Sequence, residues 1–169
     1  VLRRDMRLHE LLKEHHTDWM PWHDFIISLM AYLFGAIHRV GGTEYLSERL
    51  ESAYNSTFRL FYPVFQRLSD ETHLAYLCTA HHYHMMRFEL TEEADRFVFR
   101  LDPCGSGGRL LRGEMWRNLF QYGAVRDAIR VPDRHVVTFQ RDDLPVYCTH
   151  CASHNRDQFL HDVLYFVND

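Results

Sequence analysis

The alternation of apolar and polar residues changes period near the middle of the chain. Over residues 22–40 apolar side chains recur every three or four positions, which is the spacing of one helix face. Over residues 87–101 polar and apolar residues alternate, which is the period of a strand. The pattern predicts one α+β domain for the 169-residue chain, with a helical half (1–85) and a second half (86–169) that contains a small antiparallel sheet.

Caps and helix breakers divide the helical half into three to four helices. Pro21 suits the first turn of a helix, and Gly41–Gly42 is expected to end that helix. Thr43 and Asp70 are expected to be N-caps, and Pro63 is expected to end or kink the helix in which it lies. The predicted helices cover residues 6–16, 22–40, 44–61 and 71–83.

The second half predicts a hairpin, a strand and a last helix. The hairpin pairs residues 87–90 with residues 96–101, with Leu90 opposite Phe97 or Phe99 and the apolar side chains on a buried face. A further strand is expected over 135–140. Residues 153–166 form an amphipathic pattern that predicts a C-terminal helix, so the helical half is expected to pack on the sheet together with this helix.

Composition and charge narrow the classes of protein. Apolar residues make up 46% and charged residues 25%, as in ordinary globular proteins, and the net charge of −4 argues against a non-specific nucleic-acid binder. Residues 1–17 are charged throughout, which does not resemble a signal peptide and favours a cytoplasmic protein. The longest apolar stretch, residues 25–37, contains Ser28 and Gly35, so we do not expect it to span a membrane.

Three of the four cysteines lie in two short motifs that suggest a metal site. Cys104 precedes Gly-Ser-Gly-Gly, whereas Cys148 and Cys151 form a Cys-x-x-Cys pair, and the chain also has thirteen histidines. Thiolate and imidazole are the ligands that zinc prefers. The sequence therefore predicts zinc, ahead of iron, bound by these three thiolates. A redox pair and unrelated buried cysteines remain alternatives, and Cys78, in mid-helix, is expected to be a buried structural thiol.

The fourth ligand is less well defined by the sequence. Counting outward along the hairpin brings His84 close to Cys104, which favours His84. His154 competes because it lies one helical turn after Cys151. A water molecule in the fourth position is the third alternative, and it would indicate a catalytic site.

The catalytic hypothesis assigns roles to residues around these cysteines. Arg109, at the end of the glycine-rich segment, is expected to hold a substrate anion, and His150 or His82 is expected to move protons. The predicted function is a zinc-dependent hydrolase or lyase that acts on a small molecule, and dimerisation of the chain is left open. The alternative is a binding or regulatory module with a structural zinc held by three cysteines and one histidine.

One further polar pair is considered at the start of the second predicted helix. His23 and Asp24 could act as an acid–base pair that lines a pocket. Adjacent residues on a helix point in different directions, so we do not expect these two side chains to pair with each other.

Overall fold

The first helix is much longer than the pattern predicts. The computed structural model describes residues 2–101, 104–112 and 129–152. Helix α1 runs over Leu2–Phe65 and joins the first three predicted helices. Its backbone leaves helical geometry at Gly42, where φ is 75° and ψ is −170°, a conformation open essentially only to glycine. Element α1 thus consists of two helices that meet at a kink at Gly42, and the predicted helix end at Gly41–Gly42 is confirmed.

Several predicted helix boundaries differ from the structure. Pro21 and Pro63 both lie inside α1, so Pro21 does not start a helix and Pro63 does not end one. Thr43 is buried and its hydroxyl donates to Asp133 Oδ2 at 2.6 Å. Helix α2 covers Asp70–Tyr83, and its N-cap is Ser69, whose side chain accepts a hydrogen bond from the Thr72 amide.

The predicted hairpin is confirmed with a defined register. Strand β1 (Phe88–Glu92) pairs with β2 (Phe97–Leu101) in antiparallel fashion, and Leu90 lies opposite Phe99. Its apolar residues are less enclosed than expected, since Leu90 remains 37% exposed. The hairpin rests on the end of α2, where the His81 ring stacks on Phe99 at 5.1 Å between centroids.

The remaining described elements are short. Helix α3 covers Gly107–Leu111, and strands β3 (Arg130–Val131) and β4 (Leu144–Pro145) form a second antiparallel pair. The strand expected over 135–140 is wrong, because the chain forms a 3₁₀ helix over Val136–Thr138. The next two residues then have positive φ values, which end any extended path. A second 3₁₀ helix, Val146–Cys148, precedes helical residues 149–152, whereas the predicted helix over 153–166 lies outside the described residues.

The core lies where α1 crosses the segments of the second half. Apolar side chains from one face of α1 meet α3, strand β3 and the 3₁₀ helix Val146–Cys148, and burial of this surface stabilises the domain. The mixed helix-and-strand class is therefore confirmed. The buried cluster consists of Ile27, Ala31, Leu46, Leu50, Leu110, Val131, Val146 and Tyr147.

One part of α1 meets a simple test for a membrane span. Within Trp19–Phe61 the helix is long and apolar enough to cross a bilayer, by length and composition alone. Core helices of soluble proteins also meet this test, but they are mostly buried, whereas only 28% of the apolar window is buried here. The stretch therefore presents most of its apolar surface outward.

Candidate functional site

Five polar side chains from separate parts of the chain meet beside α1. Helix α1 supplies His23 and Asp24, the end of α2 supplies His84, and the segment around α3 supplies Ser106 and Arg109. His23, Asp24 and Ser106 are 3%, 4% and 2% exposed. Polar groups buried this deeply need hydrogen-bond partners, and the five side chains provide them for one another. We call these five residues the polar cluster.

The hydrogen bonds of the polar cluster form a continuous chain. His23 Nδ1 lies 3.2 Å from Asp24 Oδ1, and His23 Nε2 lies 3.1 Å from Ser106 Oγ. Arg109 Nη2 donates to Asp24 Oδ2 at 2.8 Å, so both carboxylate oxygens are engaged. The expectation that His23 and Asp24 do not pair is wrong, because their side chains turn towards each other within the enclosed space.

The charge of Asp24 sets the direction of its hydrogen bond with His23. Burial by itself would raise the pKa of the Asp24 carboxyl, but hydrogen bonds from His23 and Arg109 outweigh burial and hold that pKa below its ordinary value. An ionised carboxylate can only accept, so His23 carries a proton on Nδ1. The other ring nitrogen of His23 lies against Ser106 Oγ, whose hydroxyl group also donates to the His84 carbonyl oxygen at 3.4 Å.

His84 completes the surroundings of Ser106. Its Nδ1 lies 3.2 Å from Ser106 Oγ, and its carbonyl oxygen accepts a longer hydrogen bond from the same hydroxyl group at 3.4 Å. Desolvation, followed by the neighbouring His23, His150 and His81, lowers the pKa of His84 to about 4, so the ring is neutral near pH 7. Its inner edge is enclosed by these groups, while the side chain as a whole is exposed to solvent.

Two glycines allow the Ser106 segment to approach its neighbours. A Cβ atom at Gly105 would lie 2.1 Å from the Met85 carbonyl oxygen, and one at Gly107 would lie 2.3 Å from Cys148 Sγ. Both distances are shorter than any normal contact, so only glycine fits without displacement of the chain. The glycines thus place Ser106 between the end of α2 and the 3₁₀ helix Val146–Cys148.

A layer of aromatic and thiol groups borders the polar cluster. The His150 ring packs 4.4 Å from Tyr147 between centroids, and its Nδ1–H donates to the Tyr147 carbonyl oxygen. Cys151 Sγ lies 3.7 Å from His150 Nε2. Burial raises the pKa of the Cys151 thiol to about 12, and burial, with Cys151 and Cys104 nearby, also raises the pKa of Cys148. These thiols are therefore protonated and weakly nucleophilic.

The predicted zinc site is wrong for the described part of the chain. Across residues 2–101, 104–112 and 129–152, no group of three or more His, Cys, Asp or Glu side chains is placed to hold a metal ion. The physical reason is that the predicted ligands face other partners: His84 binds Ser106, Cys148 packs on Gly107, and Cys151 meets His150. Cys104 is half-buried beside α3, and the alternative ligand His154 lies outside the described residues.

The other predicted site residues have definite positions. Arg109 is bonded to Asp24 in the polar cluster, and its role in holding a substrate anion stays a prediction. His150 lies in the aromatic layer, His82 is exposed at the end of α2, and their role in proton transfer stays a prediction as well. Cys78, expected to be buried, is half-buried. Sequence reasoning missed Ser106, although its glycine-rich context was noted.

Acid is expected to destabilise the protein through His150. Burial lowers the pKa of His150 to about 4, well below the ordinary histidine value of about 6.5. Between these two values the unfolded chain binds a proton that the folded chain does not, so stability falls as the pH decreases through this range. One such group contributes at most about 1.4 kcal/mol per pH unit.

Urea unfolding near pH 7 and near pH 5 measures this effect. His150→Phe, which keeps an aromatic ring beside Tyr147, should reduce the loss of stability between the two pH values. His82→Gln, at an exposed position, should leave the loss unchanged. Equal losses in the native chain and in both variants would exclude His150 as a cause of acid sensitivity.

The polar cluster contains the groups needed to activate a hydroxyl. A serine hydroxyl lies within hydrogen-bond distance of an imidazole, the imidazole contacts an ionised carboxylate, and an arginine holds the carboxylate in place. This is the sequence of contacts by which a base removes a serine proton and is then stabilised as an imidazolium ion. No protein-family model, no curated protein and no solved structure matches this chain.

Proposed function

We propose that the chain is an acyl-transfer enzyme in which Ser106 is the nucleophile. The observation that carries the proposal is the pair of contacts on opposite sides of the His23 ring, 3.1 Å to Ser106 Oγ and 3.2 Å to Asp24 Oδ1. A base within hydrogen-bond reach of the nucleophile, oriented by a third group, is the arrangement that activates a serine. The reaction class is hydrolysis or transfer of a small ester, thioester or activated amide.

The proposed reaction has two steps. Ser106 Oγ attacks the acyl carbon of the substrate while its proton moves to His23 Nε2. The leaving group then departs with that proton, and an acyl-serine ester remains. In the second step His23 removes a proton from water, the hydroxide attacks the ester, and the proton returns to Ser106 as the acid product leaves.

Asp24 and Arg109 support the base rather than the substrate. The Asp24 carboxylate keeps the His23 proton on Nδ1 and stabilises the positive charge that His23 acquires during the attack. Arg109 holds the second oxygen of Asp24 at 2.8 Å, so the carboxylate cannot rotate away from His23. In this proposal Arg109 is a positioning residue, since its guanidinium acts on Ser106 only through Asp24 and His23.

His84 has two roles in the proposal. Its Nδ1 lies 3.2 Å from Ser106 Oγ, and when protonated there it serves as a donor for the negative charge that develops on the substrate oxygen. Ser106 is only 2% exposed, whereas the His84 side chain beside it is exposed. The proposal therefore requires the His84 side chain to rotate so that a small acyl group can reach the hydroxyl.

The proposal is tested by the turnover of an activated ester such as p-nitrophenyl acetate. Ser106→Ala should reduce the protein-dependent rate by about 100-fold or more, because no other group in the cluster is placed to attack. Ser28→Ala is the matched control. Like Ser106, Ser28 is buried, and it lies one turn after Asp24 on α1, where its hydroxyl donates to the Asp24 carbonyl oxygen. This control should retain the native rate within about threefold.

Two results would contradict the proposal. The first is a native rate no higher than that of an unrelated protein of similar composition, measured over a range of ester chain lengths. The second is an equal rate for Ser106→Ala and Ser28→Ala, which would assign the turnover to surface groups. Circular dichroism of both variants confirms that the fold is kept.

A further inference from the structure

Helix α1 carries a continuous apolar face on the side away from the polar cluster. Trp22 is 65% exposed, Tyr32 is 53% exposed and Val40 is 82% exposed. Exposed apolar patches of this extent mark interaction surfaces in soluble proteins. The large apolar side chains on this face, which we call the apolar face, are Leu11, Trp22, Phe25, Ile26, Leu29, Tyr32, Leu33 and Val40.

Helical spacing places these residues on one side of α1. Phe25 lies three residues after Trp22, Leu29 lies four residues after Phe25 and seven after Trp22, and Tyr32 lies three residues after Leu29. Residues at these spacings share a helix face. Between residues 19 and 38 the only acidic or basic residue, apart from histidine, is Asp24, which is buried on the reverse side. The face is therefore free of formal charge over about five helical turns.

We propose that a second copy of this chain covers the apolar face, with the two α1 helices antiparallel. The area fits this partner. At the stated exposures the apolar face offers roughly 800 Å² per copy, which equals the contribution of one partner to a standard protein–protein interface. A two-fold dimer requires a surface that is complementary to itself, and the part of the apolar face within residues 19–38, which has no formal charge, meets this requirement.

Charges at the two ends of the stripe fix the antiparallel direction. Glu14 lies before the charge-free stretch 19–38 and Arg39 lies after it, and both are exposed. Both lie on the edge of the helix that carries Tyr32. Arg39 is seven residues, or about two turns, after Tyr32, and Glu14 is eight residues before Trp22, which rotates it to the same edge. An antiparallel pair centred between Ile26 and Ile27 brings Glu14 of one copy opposite Arg39 of its partner at both ends, whereas a parallel pair leaves both charges without this ion pair.

The reverse side of α1 argues for a protein partner rather than a lipid bilayer. His23 and Asp24 lie on this side and bind Ser106 and Arg109 of the same chain. A helix that packs on its own domain through ionised groups cannot be surrounded by lipid on all sides. The dimer leaves the polar cluster uncovered, so this proposal is independent of the proposed chemistry.

Sedimentation equilibrium of the full chain tests the proposal. The native chain should have about twice the monomer mass of 20.3 kDa at micromolar concentration. Leu29→Glu, in the centre of the apolar face, should weaken dimerisation by roughly 100-fold, because it buries an unpaired charge. Leu60→Glu is the matched control: Leu60 is 76% exposed and lies outside the face, so the mass should not change.

Charge exchange tests the antiparallel pairing. Glu14→Arg or Arg39→Glu alone should weaken dimerisation by roughly tenfold, because like charges then meet at both ends. The double variant restores opposite charges and should return to within about threefold of the native dissociation constant. A monomeric native chain at high concentration would overturn the proposal. Failure of the double variant to recover would overturn the antiparallel arrangement. A monomer that binds neutral phosphatidylcholine vesicles through Leu29 would overturn the dimer itself.

Discussion

Asp24→Ala is expected to lower the free energy of unfolding by about 3–5 kcal/mol, the range found when one partner of a buried ion pair is removed. The Asp24 side chain is 5% exposed and its partner Arg109 is 18% exposed. Without the carboxylate, Arg109 keeps its charge in a space that water hardly reaches. His23 also loses the acceptor for its Nδ1 proton.

Urea denaturation at neutral pH measures this loss. Asp142→Asn is the control, since Asp142 pairs with Arg134 at the surface and its loss should change stability little. Asp24→Asn should lie between the native chain and Asp24→Ala, because its amide oxygen still accepts one hydrogen bond while the charge is lost. Equal stability of Asp24→Ala and Asp142→Asn would show that the polar cluster does not contribute to folding.

Gly105→Ala is expected to destabilise the fold by about 3 kcal/mol, near the upper end of the range for an overpacked position. The added Cβ would lie 2.1 Å from the Met85 carbonyl oxygen and 2.2 Å from the His84 carbonyl oxygen. Both atoms belong to the backbone, so neither can move without the end of α2. The strain should also move Ser106 away from His23 and lower the turnover proposed for Ser106.

Gly108→Ala is the matched control for this substitution. Its added Cβ would meet the mobile end of Arg112 and the Cys104 Cβ, both at 3.0 Å, and alanine favours the helical backbone of α3. The expected cost is below about 1 kcal/mol. Thermal unfolding of the two variants checks this order, and a Gly105→Ala variant as stable as Gly108→Ala would contradict the close packing described for this segment.

Local pattern predicted much of the fold. The period-two alternation identified the hairpin, and one of its two predicted registers, Leu90 opposite Phe99, is observed. The glycine pair identified the kink at Gly42 within α1. The strand expected over 135–140 failed because its alternation is also compatible with a 3₁₀ helix, and the Thr138 hydroxyl bonds locally to Asp133 and His135.

The candidate site could not be predicted because its parts are distant in sequence. His23 and Ser106 are separated by 83 positions, and Asp24 and Arg109 by 85. His23, Asp24 and Arg109 were noted separately and Ser106 was missed, because no spacing rule joins them. The interpretation of His23 and Asp24 as divergent neighbours considered only the helix, whereas enclosure by the Ser106 segment turns both side chains towards each other.

The cysteine motifs suggested the wrong chemistry for a related reason. A Cys-x-x-Cys pair with a third cysteine and many histidines is compatible with zinc, but ligands must also converge on one point. In the described residues no group of three such side chains is placed to hold a metal ion. Serine in Gly-Ser-Gly-Gly, with Arg109 just after it, was the signal that could have indicated the polar cluster.

The most direct measurement is the position at which a fluorophosphonate probe modifies the protein. Such probes react with a serine hydroxyl only when a neighbouring base activates it. Digestion and mass spectrometry of the labelled native chain should place the added mass on Ser106, with labelling lost in Ser106→Ala and kept in Ser28→Ala. A native chain that is not labelled, or a label that persists in Ser106→Ala, would contradict the proposed role of Ser106.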